Sequence, residues 1–597
     1  MNPGRDTLIE RALARRNVTA LFAALPLLKE LDQAQLAEIT REVEWFSLPA
    51  GNALYTAGQP ADGLYVVVNG ALGLYVAHPT GGSRLCATIT PGETVGESEV
   101  LSGRPRGATA ITLRDTELAR IPTSTFESLA ATNASVLREV ARIVVRRLDA
   151  VQRAESERPA APRTFALLPA DGAVDPTRFG RLLLACLEGY GRSELITSGQ
   201  AKDRTSHWFH RVEQANTHVV YVGDAEPTGW SRLCTGHAEC TLVLAHADTD
   251  PLTWRTARQA WIHQPQAAHR PMELILLGNP AHNARELLDG GDFQRHHHVR
   301  SPADVARVAR LITGRGVGIV LSGGGARGMA HLGVLRALSA AKFPIDAIGG
   351  ASVGAIIGAA WAADWGLRQV VERMRRSFVD SNPLGDYTFP IVSLSAGRRV
   401  NRLLRREFAD LQIEDLRLPF FCVSANLTAG QLTVHQRGSL WLWLRASIAI
   451  PGVLPPVITR GAVHVDGATL NNLPVDVMRE MIKGTIVAVD VGADRTLQSE
   501  MELTEMPSLW GIPRWLHRNR RRVNVLQILL RSGMINSMAT TTAQRELADV
   551  VIKPPLENID LLDWHAFDRM IECGYRHASQ NMPQYWATLT RNTGERP

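Results

Sequence analysis

The chain has 597 residues, 45% of them hydrophobic and 21% charged, with a formal net charge of +6 at pH 7. That length suits three or four domains of ordinary size, and the balance excludes a chain disordered throughout. A charge this small for the length gives no argument for nucleic acid as a partner. The N-terminal stretch 1–22 is charged throughout and lacks the apolar run of a signal peptide. No stretch of about 18 uncharged apolar residues occurs, so no transmembrane helix is expected and any membrane contact is peripheral. The six cysteines, Cys86, Cys186, Cys234, Cys240, Cys422 and Cys573, form no C-x-x-C pair. Neither a zinc site nor a disulfide framework is suggested, and reduced thiols in a cytoplasmic setting are the expectation.

Two breaks in composition divide the chain. Residues 152–164, QRAESERPAAPRT, are polar and proline-containing and read as a linker. Residues 313–316, TGRG, precede an abrupt change to glycine-rich sequence. Three domains are expected, at 1–155, 160–312 and 315–597. In the first, short apolar segments such as GLYVVVNGALGLYVA and ATAITLRDTELARI alternate with polar residues between glycines. That pattern predicts a small antiparallel β-roll. Helical spacing of Val136, Val140, Ile143, Val144 and Leu148 predicts a helix over 134–150 that closes it.

Within this roll, VGESEVLSGRPRGAT at 95–109 resembles the phosphate-binding cassette of cyclic-nucleotide-binding domains. Gly96 permits close backbone approach, Glu97 can accept a hydrogen bond from a ribose 2′-hydroxyl, and Arg106 can neutralise a cyclic phosphate. Ala108 and Thr109 match the end of the cassette. The resemblance implies cyclic AMP or cyclic GMP as an effector. Ser98-Glu99 departs from the usual pair after the glutamate, and the competing reading is a fold relic that binds nothing.

The second domain alternates apolar strands, FALLP at 165–169, HVVYVGD at 218–224, CTLVLAHAD at 240–248 and MELILLGN at 272–279, with helical stretches. A small α/β layer is expected. No phosphate loop is recognisable in it. The run His296-His297-His298 cannot converge on one ion from a regular strand or helix and reads as a solvated stretch.

The third domain opens on VGIVL at 317–321, a buried strand by its continuous apolar run. The glycine loop Gly323-Gly324-Gly325-Ala326-Arg327-Gly328 follows, then a helix with Leu332, Leu335 and Leu338 on one face. The strand PIDAIGG runs into Gly350-Ala351-Ser352-Val353-Gly354, a G-x-S-x-G turn before a second helix. This order is that of an α/β sheet. The flanking glycines let the backbone turn sharply enough to expose the Ser352 hydroxyl. Successive N–H groups of the glycine loop can hold an oxyanion. The loop lacks the lysine of a nucleotide phosphate loop. Asp466-Gly467-Ala468 ends the strand AVHVD, and its carboxylate is a candidate base for Ser352. An ordinary carboxylate, pKa ~3.9, is a poor base at neutral pH, and burial would raise it.

Together GGGARG, GASVG and DGA resemble the patatin-like phospholipases. The segments LPFFCVSANLTAGQL, LRASIAIPGVLPPV and DGATLNNLPVDVMRE, with WSRLCTGHAECTLVLA at 230–245, resemble the neuropathy target esterase branch. The resemblance implies a patatin-like α/β catalytic domain and a Ser–Asp dyad without histidine, with Ser352 as nucleophile and Asp466 as base. It also implies an oxyanion hole bordered by Gly323, Gly324, Gly325 and Arg327, and hydrolysis of lysophospholipid or phospholipid acyl esters without a metal or other catalytic cofactor. Ser322 and Ala468 stand where glycine is common in relatives. Two rival readings are a ligand-sensing scaffold with a vestigial catalytic domain, and an α/β-hydrolase triad using His517, His565 or His577. Residues 507–532 combine Trp510, Ile512, Trp515 and Leu516 with Arg514, Arg518, Arg520, Arg521 and Arg522. Such a segment suits the surface of an anionic membrane, whereas nucleic acid lacks any accompanying reading module. The competing reading packs the aromatics on the catalytic core.

Overall fold

A computed structural model describes residues 32–143, 161–252, 271–492 and 540–593, save positions 50, 78–82, 114, 139, 171, 203, 205, 279–283, 292, 557–558, 560 and 562. The segment 507–532 and His517 lie outside the described residues.

Residues up to 277, with 287–296, form one compact unit. Its first part is the expected antiparallel roll. One four-stranded sheet runs Glu44–Leu48, Thr116–Pro122, Gly63–Asn69, Thr94–Val95; the other runs Ala53–Tyr55, Thr109–Thr112, Leu72–Ala77, Ser83–Ile89. Leu64 and Val66 point into one core and Tyr65 and Val67 into another, as a period of two requires. Val136 and Val140 are buried against the first of these cores. Val144 and Leu148 lie outside the described residues.

The second part of the unit is a parallel layer. Its strands lie in the order Ser193–Ile196, His218–Val222, Thr164–Pro169, Cys240–His246, Met272–Leu277. Four were expected; Ser193–Ile196 was not, because SELI is too short and polar to signal a strand. The histidine run is a correction. It belongs to the strand Arg295–Val299, where His297 and His298 are 1% and 2% exposed rather than solvated. The His298 ring bonds the Glu414 carbonyl at 2.8 Å, and burial pushes its pKa down to about 4. A strand that follows an apolar layer tolerates neutral imidazoles whose polar atoms find partners.

The second unit, 278–286 with 297–597, holds an eight-stranded sheet. Its order is Val457–Thr459, Ala462–Asp466, Phe420–Asn426, Ala347–Gly350, Gly316–Leu321, Gly484–Val489, Val550–Ile552, with Gln431–His435 added antiparallel to Phe420–Asn426. The central strands are parallel. Both faces are covered, which explains the unbroken apolar runs. Val317, Ile319 and Leu321 enter one core with Leu332, Leu335 and Leu338; Val320 enters the other with Phe421 and Met478. Asp346, fully buried, accepts hydrogen bonds from Arg310 Nε and Nη2 and from the Val317 N–H, and so fixes where the central strand begins.

Candidate active site

Ser352 stands between the strand Ala347–Gly350 and the helix Val353–Ala362, at φ 53° and ψ −127°. A side chain rarely adopts that conformation, and its cost is tolerated only where the surroundings force it. Here they do. A Cβ on Gly350 would come 2.2 Å from the Leu321 carbonyl oxygen, and one on Gly354 would come 2.4 Å from the same atom. The turn is wrapped so tightly over the end of the central strand that both flanking positions must be glycine.

The Ser352 hydroxyl donates to Asp466 Oδ2 at 2.8 Å. Asp466 ends its strand and is 4% exposed. Its other oxygen accepts the Ala468 N–H at 2.9 Å. Burial pushes the carboxyl up to about 7, while the bonds from Ala468 and Ser352 pull the other way. The dyad is held by a segment that the sequence singled out only by its family resemblance. The Ser447 hydroxyl accepts the Ser352 N–H at 3.1 Å, and the Ala449 carbonyl accepts the Asp466 N–H at 2.9 Å. Both residues lie in LRASIAIPG, which carried no chemical signal of its own.

The glycine loop lies against the dyad. A Cβ on Gly323 would sit 3.1 Å from Ser352 Cβ and 2.6 Å from Asn472 Oδ1. Asn472 was also missed: its carbonyl accepts the Gly323 N–H at 3.2 Å and its amide reaches the Gly323 carbonyl at 3.3 Å. The Gly323 N–H is therefore occupied. Among the described residues, the N–H groups of Gly324 and Gly325 have no acceptor. The Arg327 guanidinium is buried and donates to the Leu556 carbonyl at 2.8 Å, so it ties the loop to the 550s. Ser322 accepts the Val491 N–H on its hydroxyl. His331, fully buried and pushed down to about 4 by burial, is neutral at pH 7 and donates Nε2–H to the Ser322 carbonyl at 2.9 Å. Gly467 passes close to Val423, and the Ala468 methyl fits beside Gly323.

No histidine among the described residues bonds Ser352 or Asp466. His435 and His464, on strands of the same sheet, both bond the Ser424 hydroxyl, at 2.7 and 2.9 Å. His565 sits in the short turn Trp564–Ala566 and His577 on the helix Phe567–Thr593.

The cassette residues of the roll also come together, with a difference. Gly96 has φ 91° and caps the short helix that Glu97, nearly fully buried, begins. Arg106 is buried, and its guanidinium is engaged by the protein itself. It donates to Asp62 Oδ1 at 2.7 Å, to the Gly63 carbonyl at 2.8 Å and to the Gly96 carbonyl at 3.3 Å, and lies 4.3 Å from the centre of the Tyr55 ring. Burial alone would raise the Asp62 carboxyl; bonds from Tyr65, Arg106 and Arg120 outweigh it and hold the group below its ordinary value. A carboxylate already meets the charge that a cyclic phosphate would meet. Thr109 accepts the Ala57 N–H on its hydroxyl, and Ala108 is half-buried.

Three family models match the chain. Residues 319–479 match Patatin-like phospholipase, residues 45–133 match Cyclic nucleotide-binding domain, and residues 162–313 match Neuropathy Target Esterase family P-loop like domain. Human Patatin-like phospholipase domain-containing protein 6 is 28% identical over 632 residues, covering 92% of this chain and 45% of its own length. Lysophospholipase nte1 of Neosartorya fischeri is 28% identical, covering 95% of this chain and 44% of its own. Neuropathy target esterase sws of Drosophila melanogaster is 27% identical, at 92% and 43%. The chain thus spans less than half the length of these relatives.

The raised Asp466 carboxyl has a consequence for stability. The folded state binds this proton more tightly than the unfolded chain, whose group titrates near 3.8. The contribution of this group to stability is therefore full below about pH 4 and falls as the pH rises toward about 7, by roughly 1.4 kcal/mol per pKa unit. Asp466→Asn should melt higher than the parent at pH 8, with the gap closing toward pH 4. Calorimetry that shows the same pH dependence in both proteins would place the burial cost elsewhere.

Proposed function

We propose that this chain, which carries the three domains of the neuropathy target esterase branch of patatin-like phospholipases, is a serine esterase acting on the acyl esters of lysophospholipids or phospholipids. The observation that carries the reading is the 2.8 Å bond from the Ser352 hydroxyl to Asp466 at a turn strained to φ 53°. Ser352 Oγ attacks the ester carbonyl as Asp466 takes its proton. The developing oxyanion is held by N–H groups of the glycine loop, with those of Gly324 and Gly325 the donors that have no acceptor among the described residues. The proton passes to the leaving alkoxide, which departs as lysolipid or glycerophosphoryl alcohol. Asp466 then activates water, which cleaves the acyl-serine and regenerates Ser352.

The roll is assigned to an effector site for cyclic AMP or cyclic GMP, in which the nucleotide phosphate takes the place of Asp62 at Arg106. For membrane contact, Trp510, Trp515 and Arg518–Arg522 are proposed to rest on an anionic lipid surface, on the chemistry of aromatic and basic side chains at that interface. No helix among the described residues is long and apolar enough to cross a membrane.

Ser352→Ala should abolish turnover of a soluble acyl ester while leaving the melting curve intact, and a fluorophosphonate probe should label the parent at Ser352. Full activity in the variant, or labelling of another residue, ends the dyad reading. Because the base must be ionised, kcat/KM should rise with pH through a midpoint near 7, set by the pKa of about 7 at Asp466. Asp466→Asn should be nearly as inactive as Ser352→Ala at every pH. A midpoint near 4 would argue against Asp466 as base. For the effector, Asp62→Asn should tighten cyclic AMP binding about tenfold or more by calorimetry, since it removes the competing charge. Equal affinity in parent and variant would show that Asp62 does not guard the site.

A further inference from the structure

The segment between Asp380 and the helix Arg398–Phe408 has a rigid base and a bare tip. At the base, Asp386 accepts the Ser395 hydroxyl at 2.5 Å and the N–H groups of Arg398 and Arg399 at 2.7 and 3.1 Å, which caps the helix. Tyr387 bridges Ser395, and the Thr388 N–H bonds the Leu394 carbonyl at 3.0 Å. The tip, residues 387–392, is exposed at every position. Tyr387 and Phe389 are each 81% exposed, Ile391 is 83% and Val392 is 63%. Four large apolar side chains in six residues, so fully in water, forgo the burial that a loop of this composition normally finds. The anchored base shows that the loop is built to be held there.

Two further observations choose the occupant. Arg398, Arg399 and Arg402 are exposed on the helix that leaves the loop, and none forms an ion pair among the described residues. The loop is also joined to the candidate active site. The Leu394 and Ser395 N–H groups bond the Gly452 and Val453 carbonyls, three to four residues beyond Ala449, whose carbonyl holds Asp466. Aromatic and aliphatic side chains followed by exposed arginines suit the boundary between head groups and acyl chains of an anionic bilayer. A second copy of the chain fits less well. Two such tips would bring like charges together, and four side chains on a projecting loop bury far less than the ~800 Å² per partner of a stable interface.

We propose that the loop Tyr387–Val392, with Arg398, Arg399 and Arg402, docks this unit on an anionic lipid surface and so delivers acyl chains to Ser352. The choice of partner rests on the lipid-esterase reading above. The test separates the two. Full-length Ser352→Ala protein is sedimented with vesicles of phosphatidylcholine alone or with phosphatidylglycerol. Adding Phe389→Ser with Ile391→Ser should weaken vesicle partitioning about tenfold or more, since two large apolar side chains lose their burial. Arg398→Gln with Arg402→Gln should weaken binding to the phosphatidylglycerol vesicles and flatten its salt dependence. In the Ser352 background, the loop variant should retain turnover of a soluble short-chain ester and lose hydrolysis of vesicle-borne phospholipid. Vesicle binding equal to the parent's in the loop variant overturns the proposal, as does a parent that does not bind vesicles. Loss of binding in Trp510→Ala with Trp515→Ala but not in the loop variant also overturns it. Concentration-dependent self-association that the loop variant abolishes would assign the tip to a second copy instead. Absence of ester turnover in every form, with loop-dependent binding intact, would fail the esterase reading and leave the docking surface standing.

Discussion

The close passage of the Ser352 turn over the carbonyl of Leu321 governs the geometry of the candidate active site. That oxygen is where a Cβ on either flanking glycine would strike, at 2.2 and 2.4 Å. The strand Gly316–Leu321 is central and buried on both faces, so it cannot retreat. The turn must therefore bend sharply, and the strain falls on Ser352 at φ 53°. A residue held this way has a backbone that other bonds must keep in place, and the Ser447 hydroxyl on its N–H is one of them. The same strand end leads into Ser322 and the glycine loop, so Ser352 and the proposed oxyanion donors start from one fixed point. His331 and Val491 hold Ser322 from its two polar sides.

Asp466 answers a different demand. A carboxylate in water is too weak a base to take a serine proton at pH 7. Full burial without a cation beside it raises its pKa to about 7, which brings the group into the useful range. The two hydrogen bonds it accepts are enough to orient it and too few to restore an ordinary acidity. The fold bears that cost because the strand Ala462–Asp466 is paired to Phe420–Asn426, with Ser424 opposite Asp466.

What the sequence disclosed, and what it withheld, follows from the range of each interaction. Glycines at 323, 350, 354 and 467 were legible because the need for them is local: a turn or a close approach tolerates no side chain. The continuous apolar runs of the sheet were legible because both faces are covered. Asn472, 149 residues from Gly323, and Ser447, 95 residues from Ser352, were not legible. A common polar residue gives no sign of a partner that far along the chain. Arg327 matched a motif, yet its guanidinium serves the Leu556 carbonyl, 229 residues away. The histidine run misled because three polar side chains in a row look solvated, whereas the strand that carries them buries two. Arg106 was read as the group that neutralises a cyclic phosphate, whereas its partner in the structure, Asp62, lies 44 residues earlier in a loop without a motif.

Arg106 and Asp466 show the same principle from opposite sides. Each is a charged residue taken out of water at a glycine-lined turn. Arg106 has Asp62 at 2.7 Å, two carbonyl oxygens and an aromatic face, so its charge is satisfied within the protein. A ligand phosphate offers it little that it lacks and must displace a carboxylate first. Asp466 has no cation beside it among the described residues, and the serine hydroxyl and one N–H leave its negative charge poorly solvated. The group relieves that by accepting a proton, and Ser352 holds one 2.8 Å away. Burial by itself therefore does not set reactivity. A buried charge with a partner is quiescent until something competes for the partner, and a buried carboxylate without one favours taking up a proton.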